Sequence, residues 1–253
     1  MTLEELQTAA NNGDMTAALT VADYYYGDGK DPDKEEAALP WYEKAGNLGS
    51  LKGAAVAMLI HASDANAYMM MGSYDSALKS WQAVNNWAVT VMQHNEADLN
   101  AKALGIEKFN YSVFEMGMCL FSQQDYAAAA SILRHASTED VKSQLLYGIC
   151  LAQSNQVKAA VPLLSLVKTA SKYRETIEKA TADELVTFVN ATLLLSRLFR
   201  QGSVDGQSNC DAAVDVLLTA RAAFTSNAKV IAVLQRELSG YRKKLFGGYT
   251  YAG

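Results

Sequence analysis

The stretch that decides the fold is EMGMCLF at residues 115–121, followed by DYAAA at residues 125–129. Apolar and small residues recur every three or four positions on both sides of the polar run 122–125, which is the spacing of one face of an α-helix. The stretch therefore predicts two helices joined by a short turn. A looser copy begins at Gly148, in the place that Gly117 has in the first copy, so the unit repeats after 31 residues.

Small residues recur where the two helices of each unit are expected to cross. Gly117 is expected to face Ala129, and Gly148 is expected to face Ala160. A glycine or alanine at a crossing lets the helix axes approach to about 8–10 Å, whereas larger side chains would hold them apart. The pattern predicts antiparallel helical hairpins that pack through small residues.

The hairpin unit resembles the tetratricopeptide repeat (TPR), an all-α unit with a period of about 34 residues. The small, aromatic and alanine positions match, including Tyr126 and Ala129, while the proline that usually closes that repeat is missing. The resemblance implies an all-α fold, an α/α superhelix that is a solenoid of antiparallel helical hairpins. Independent convergence on alanine-rich hairpins is the alternative.

The N-terminal unit resembles the Sel-like repeat, a relative of the TPR with a longer turn. It contains Gly13, the pair Gly27 and Gly29, and WYEKA at residues 41–45, and Gly49 restarts the pattern 36 residues after Gly13. The order of these motifs supports the resemblance more strongly than any one of them does.

Two features of this N-terminal unit need a physical interpretation. A pair of glycines can form a phosphate-binding loop, but no strand precedes Gly27 and Gly29, and the nearby aspartates would repel a phosphate. We therefore interpret both glycines as turn residues with positive φ. Pro40 lies where the second helix should already run, and because its ring removes a backbone hydrogen bond, it predicts a kink or a late helix start.

Residues 1–246 are expected to form one TPR/Sel-like helical-repeat domain, with a hinge near residues 171–182 and a flexible C-terminal tail at residues 247–253. The paired glycines Gly247 and Gly248 predict the flexible joint. The alternative for the tail is an aromatic segment docked on its own molecule or on a neighbouring one. No segment of the chain has the alternating pattern that predicts a strand.

Composition and charge restrict the class of protein. Half of the 253 residues are hydrophobic, and a net charge of −5 disfavours nucleic-acid binding. No apolar run reaches the roughly 18 residues of a membrane helix, and the N-terminus lacks the features of a secretory signal. Three scattered cysteines fit neither a disulfide framework nor a metal site, so a reducing cytoplasm is expected. Residues 1–50 carry a net charge of −7, and residues 197–253 carry +4.

Few side chains could carry chemistry. Cys119 and Cys150 each follow a repeat glycine by two residues and are expected to be small buried residues. Cys210 begins a helix, where a thiol pKa can be depressed, so reactivity stays open there. The three histidines lie in different units, without the spacing of a metal site or a catalytic triad. They are His61, His94 and His135. We predict no catalytic residue, no metal site and no cofactor.

The resemblance implies a non-catalytic interaction module, a scaffold or adaptor for a protein or peptide partner. The alternative is a regulatory or sensor domain that binds a small molecule in its concave groove, and a third hypothesis is an enzyme built on Cys210. Neither nucleic acid nor a membrane is expected as a partner.

In TPR proteins the first helix of each unit lines the concave side, and the same register gives the binding residues expected here. They are Tyr111, Phe114, Met118, Phe121, Leu145 and Ile149, with Arg197 and Arg200 favouring acidic groups at one end. Apolar residues stand where carboxylate-binding members have lysine and asparagine, which argues against a carboxylate clamp. The row takes an amphipathic helix or apolar peptide, or it is covered by the protein's own helices or by a second copy in a homodimer. We favour burial within protein, because an exposed row of this size would promote aggregation.

Overall fold

The computed structural model describes residues 1–27, 32–173, 182–204, 206–224, 227–244 and 247–252. The backbone divides into two compact units, Met1–Gln123 (unit 1) and Gln124–Gly253 (unit 2). The described residues form twelve helices and one pair of short strands. The prediction of an all-α fold is confirmed.

Unit 1 is a series of six helices, each of which packs on the next one along the chain. Their bounds are α1 Leu3–Asn11, α2 Met15–Tyr26, α3 Pro32–Asn47, α4 Leu51–Met70, α5 Tyr74–Gln93 and α6 Leu99–Ser122. Short connections between helices favour antiparallel neighbours, which is the arrangement of helical hairpins.

The turns after α1 and α3 have the same backbone conformation. Gly13 and Gly49 have φ values of 96° and 99°. The residues that follow them, Asp14 and Ser50, each donate their N–H to a carbonyl five residues back, at 3.0 and 2.9 Å. This left-handed helix ending favours glycine, and Asp14 and Ser50 then cap the next helix with their side chains. The restart of the pattern at Gly49 is therefore a repeat of structure as well as of sequence.

The helix α3 contains Pro40 in its interior. It begins at Pro32 and continues to Asn47, so the late start that Pro40 predicted is not observed. Proline is well suited to the first turn of a helix, where no backbone N–H is needed, which explains the start at Pro32. In the preceding turn Gly27 has the predicted positive φ, at 61°. Gly29 lies outside the described residues.

In unit 1, α3 and α4 cross at close range at Gly53. A Cβ atom on Gly53 would lie 2.6 Å from the backbone nitrogen of Gly46 and 2.8 Å from the carbonyl oxygen of Tyr42. The buried Tyr42 donates a hydrogen bond to Asp23 at 2.7 Å, and Asp23 also forms an ion pair with Lys52 at 2.7 Å. These contacts join α2, α3 and α4.

Unit 2 contains six helices and a C-terminal β-hairpin. The bounds are α7 Tyr126–Leu133, α8 Val141–Gln153, α9 Val157–Tyr173, α10 Ala182–Arg200, α11 Cys210–Ala223, α12 Ala228–Leu238, β1 Tyr241–Lys243 and β2 Tyr249–Tyr251. The buried side chains of Phe188, Leu217 and Leu234 bring α10, α11 and α12 into one core, in which Phe188 packs edge-on against Phe224 at 4.5 Å between ring centroids.

The predicted helix crossings and hinge have different outcomes. A Cβ atom on Gly148 would lie 2.8 Å from Cδ2 of Leu164, so the nearest side chain is Leu164 instead of the predicted Ala160. Gly117 and Ala129 belong to different units. The core of the expected hinge, residues 174–181, lies outside the described residues.

The C-terminal segment differs from the expected flexible tail. Strand β2 pairs antiparallel with β1, with Tyr251 opposite Tyr241, so the expectation of no strand is corrected for these residues. The backbone N–H of Tyr249 donates to Asp211 at 2.6 Å, at the start of α11. The guanidinium of Arg200 lies 3.8 Å from the ring centroid of Tyr251. Because these contacts reach α10 and α11, the segment is docked on its own molecule, as the alternative interpretation held.

Candidate partner-binding groove

A groove lies between α10 and α12 in unit 2, with a volume of about 400 Å³. Its walls are mainly aliphatic. The lining residues are Ala182, Leu185, Val186, Val189, Asn190 and Leu193 from α10, with Asn227, Lys229, Val230 and Val233 from α12 and the residue before it. We call this the α10/α12 groove.

The wall formed by α10 has the periodicity of a helix-packing surface. From Ala182 to Leu193, its residues form two adjacent rows with intervals of three or four, one through Leu185, Val189 and Leu193 and one through Val186 and Asn190, which places them on one side of the helix. At 1.5 Å per residue this stripe is about 17 Å long, or three helical turns. Within it Val186 is 58% exposed, so an aliphatic surface of α10 remains open to solvent.

Buried side chains on the core side of α12 fix the position of the second groove wall. Val230 and Leu234 are buried in the same core as Phe188 of α10. The side chain of Asn227 accepts a hydrogen bond from the N–H of Val230 at 3.1 Å and caps the start of the helix. On the groove side Val233 is 44% exposed. The groove is thus a surface feature on two helices whose positions are set by buried contacts.

Beyond Leu193 and Val233, the two helices are joined by ion pairs. Arg200 Nη1 lies 3.2 Å from Glu237 Oε1, and Arg197 Nη2 lies 4.0 Å from Glu237 Oε2. Since these residues come from the C-terminal turns of both helices, α10 and α12 run in the same direction there. The ion pairs mark the far end of the groove.

The two arginines that were predicted to bind a partner, Arg197 and Arg200, have different surroundings in the structure. Arg200 is mostly buried, is paired with Glu237, and stacks on Tyr251, so its charge is already used within the protein. Arg197 is exposed and only weakly paired with the same carboxylate. That Arg197 and Arg200 favour acidic groups of a partner stays a prediction, and in the structure Arg200 already has Glu237 as an acidic neighbour.

The remaining predicted binding residues lie on two helices in different units. On α6, Tyr111 is exposed and its ring packs edge-on against Trp81 at 5.3 Å, while the next apolar positions are half-buried. These positions are Phe114, Met118 and Phe121. On α8, Leu145 is buried and Ile149 is half-buried. The idea that all of them line one groove stays a prediction.

The two buried cysteines are poor nucleophiles. Burial, with a further contribution from the charge of Glu115, raises the pKa of Cys119 to about 11, and burial raises the pKa of Cys150 to about 11. The Sγ atom of Cys119 contacts Sδ of Met69 at 3.3 Å. At neutral pH both groups are thiols, and they pack as small apolar residues. Cys210, the first residue of α11, is half-buried with Sγ 3.6 Å from Ser208 Oγ.

Two of the three histidines, His61 and His94, have separate local partners. His61 Nε2 lies 2.8 Å from Glu43 Oε1, between α4 and α3. His94 Nε2 lies 2.8 Å from the carbonyl oxygen of Gly49, and His135 is exposed. Within the described ranges, no three side chains of His, Cys, Asp or Glu lie close enough together to hold a metal ion. In the same ranges, no helix is long and apolar enough to cross a membrane.

The sequence interpretation missed the walls of the α10/α12 groove. It followed the stripe through Ala191 and Leu195, which is the buried side of α10. A second stripe, through Leu185, Val189 and Leu193, has the same helical spacing and was the available signal. A helix that is apolar on two sides needs a second neighbour, and this property predicts the groove.

The same glycine turn joins α1 to α2 at Gly13 and α3 to α4 at Gly49. The chain is an all-α helical-repeat protein. No protein-family profile matches its sequence, and no curated protein matches it either. It is similar to the crystal structure of YrrB, described as a TPR protein with an unusual peptide-binding site, at a TM-score of 0.47 and 13% identity over 94% of this chain and 100% of that one. It is also similar to a Sel1 repeat protein from Oxalobacter formigenes, at a TM-score of 0.23 and 13% identity over 92% of this chain and 89% of that one.

Proposed function

We propose that this protein is a non-catalytic interaction module, a scaffold or adaptor that binds a helical segment of a protein partner in the α10/α12 groove. The observation that carries the proposal is the three-turn aliphatic stripe on α10, which lines the groove and includes the exposed Val186. An apolar groove of this kind commonly binds the apolar face of an amphipathic helix. The partner's apolar side chains would fill the groove between Val186 and Val233.

The chemistry of the described side chains supports binding over catalysis. The thiols of Cys119 and Cys150 are buried and protonated, and His61 and His94 are held by separate partners. The groove itself is lined by aliphatic groups, two asparagines and one lysine. Such a surface supplies contact area and shape, without a nucleophile and base in hydrogen-bond reach of each other.

The proposal is tested with a labelled probe peptide of about 18 residues, helical, with leucine on one face and glutamine on the other. Fluorescence anisotropy measures its affinity for the intact protein. Val186→Gln combined with Val233→Gln is expected to weaken binding about tenfold, because two exposed aliphatic contacts of the groove are lost. Both side chains are largely exposed, so the fold should survive.

The matched control is Leu166→Gln, which alters an exposed aliphatic residue of α9 outside the groove. It should leave the affinity for the probe unchanged. Equal affinities for the groove variant and the control would move the binding site elsewhere. Failure of every amphipathic probe to bind would remove the proposal of a helix-binding module.

A regulatory or sensor domain is the second candidate function, because a volume of about 400 Å³ lies within the range of small-molecule pockets. A small ligand that binds the folded state must raise the melting temperature of the protein by mass action. The variant with Val186→Gln and Val233→Gln would then lose that stabilisation while the control with Leu166→Gln kept it.

We also propose a cytoplasmic setting for this interaction. None of the three cysteines forms a disulfide, as is usual in a reducing compartment. Two of them, Cys119 and Cys150, are buried. The apolar residues Tyr111, Phe114, Met118 and Phe121 of α6 form what we call the α6 row. A homodimer that covers this row stays a proposal of the sequence pattern.

A further inference from the structure

We propose that the α10/α12 groove selects an acidic amphipathic helix, with carboxylates beside its apolar face. This inference rests on the proposed function above and adds the charge of the partner. It follows from the positively charged side chains around the groove and from which of them lack a carboxylate partner within the described residues.

Lys229 is part of the groove wall, and Arg236 follows it on the same helix by seven residues. Seven residues are close to two helical turns, so both side chains lie on the same side of α12, with Val233 between them. Both are exposed. In the part of the chain that the structure describes, neither has an ion-pair partner.

A third cation stands at the far end of the groove. Arg197 is four residues after Leu193 on α10, and its side chain is about half exposed. The nearby carboxylate, Glu237, is mostly buried and lies closer to Arg200, at 3.2 Å against 4.0 Å. Since Arg200 already balances Glu237, the charge of Arg197 remains available to a ligand.

The spacing of these cations fits a helical partner. Lys229 and Arg236 are about 10 Å apart along α12, and two acidic residues seven positions apart on a partner helix have the same separation. Between them the partner would place an apolar residue against Val233. Charges at the rim of an interface contribute mainly to selectivity and to the rate of association, and salt weakens them.

The experiment compares three labelled peptides of about 18 residues that share one leucine face and have glutamate, glutamine or lysine on the other face. Fluorescence anisotropy with the intact protein is measured at low and high salt. The acidic peptide is expected to bind about tenfold more tightly than the neutral peptide at low salt, and the advantage should fall to about twofold or less near 0.5 M salt. The basic peptide should bind most weakly.

The variant with Lys229→Gln and Arg236→Gln should remove most of the preference for the acidic peptide over the neutral peptide. The control variant with Lys79→Gln and Lys102→Gln removes two exposed lysines from unit 1, so it changes the net charge by the same amount. It should retain the preference.

Three results would overturn the inference, and they are distinguishable. Equal binding of the acidic and neutral peptides removes the charge preference but keeps the helix-binding groove. No binding of any of the three peptides removes the proposed function itself. A homodimer in the absence of peptide that the substitutions at Lys229 and Arg236 dissociate, measured by light scattering, would assign the groove to a second copy of this chain.

Discussion

Gly53 shows how the absence of one side chain determines the packing of two helices. A Cβ at this position would meet backbone atoms of Gly46 and Tyr42 at 2.6 and 2.8 Å. Backbone atoms cannot rotate away as a flexible side chain can, so α3 and α4 would have to separate. We expect Gly53→Ala to destabilise the protein by about 1–3 kcal/mol, in spite of the higher helix propensity of alanine. Urea denaturation measures the change.

A suitable control for Gly53→Ala is Ser63→Ala on the exposed side of the same helix. This change should leave the midpoint of unfolding nearly unchanged, because the side chain of Ser63 is exposed to solvent. If both variants unfold at the same urea concentration, the backbone contact between α3 and α4 does not limit stability.

The glycines also show which parts of the packing can be predicted from the sequence. Gly13 and Gly49 were predictable, since a helix ending with positive φ depends on neighbours within five or six residues. The role of Gly53 was not predictable in this way, because it depends on the approach of Gly46 from another helix. The partner of Gly148 was misplaced for the same reason, because a crossing point shifts by one turn without changing the periodicity of either helix.

At the scale of elements, the C-terminal hairpin contacts two helices, α10 and α11, that a spacing pattern cannot connect to it. Tyr251 lies against Arg200, more than fifty positions earlier, and Tyr249 donates its N–H to Asp211. Two glycines and two tyrosines are also the composition of a mobile tail, so composition could not distinguish the two states. The periodicity of α10 did contain a second apolar stripe, and that stripe predicts the groove.

Tyr251→Ala tests whether the docked hairpin contributes to stability. The change removes the ring beneath the guanidinium of Arg200, and cation–π contacts of this kind contribute about 0.5–2 kcal/mol. We expect a lower melting temperature, measured by calorimetry. Tyr251→Phe is the matched control, because it keeps the ring and should retain most of the stability. An alanine variant that melts like the phenylalanine variant would indicate a frayed terminus.

At the scale of the whole molecule, charge is distributed unevenly along the chain. Residues 1–50 carry −7 and residues 197–253 carry +4, and the cations around the α10/α12 groove belong to the second region. This C-terminal surplus of positive charge is compatible with the proposed binding of acidic groups. The sequence interpretation named Arg197 and Arg200 for that role and missed Lys229 and Arg236, because their significance depends on the distance between α10 and α12.

The apolar row on α6 is either a binding surface or part of the protein interior. Phe114 and Met118 are half-buried, and Ile106 on the same helix is 52% exposed. We expect replacement of Phe114 and Met118 by serine to lower the urea midpoint, since burying two hydroxyl groups in place of apolar side chains costs several kcal/mol, about 2–5. Ile106→Ser is the control and should have a small effect. A double variant that unfolds like the control but fails to bind the leucine-faced peptides would instead make the α6 row the peptide site and take that role from the α10/α12 groove.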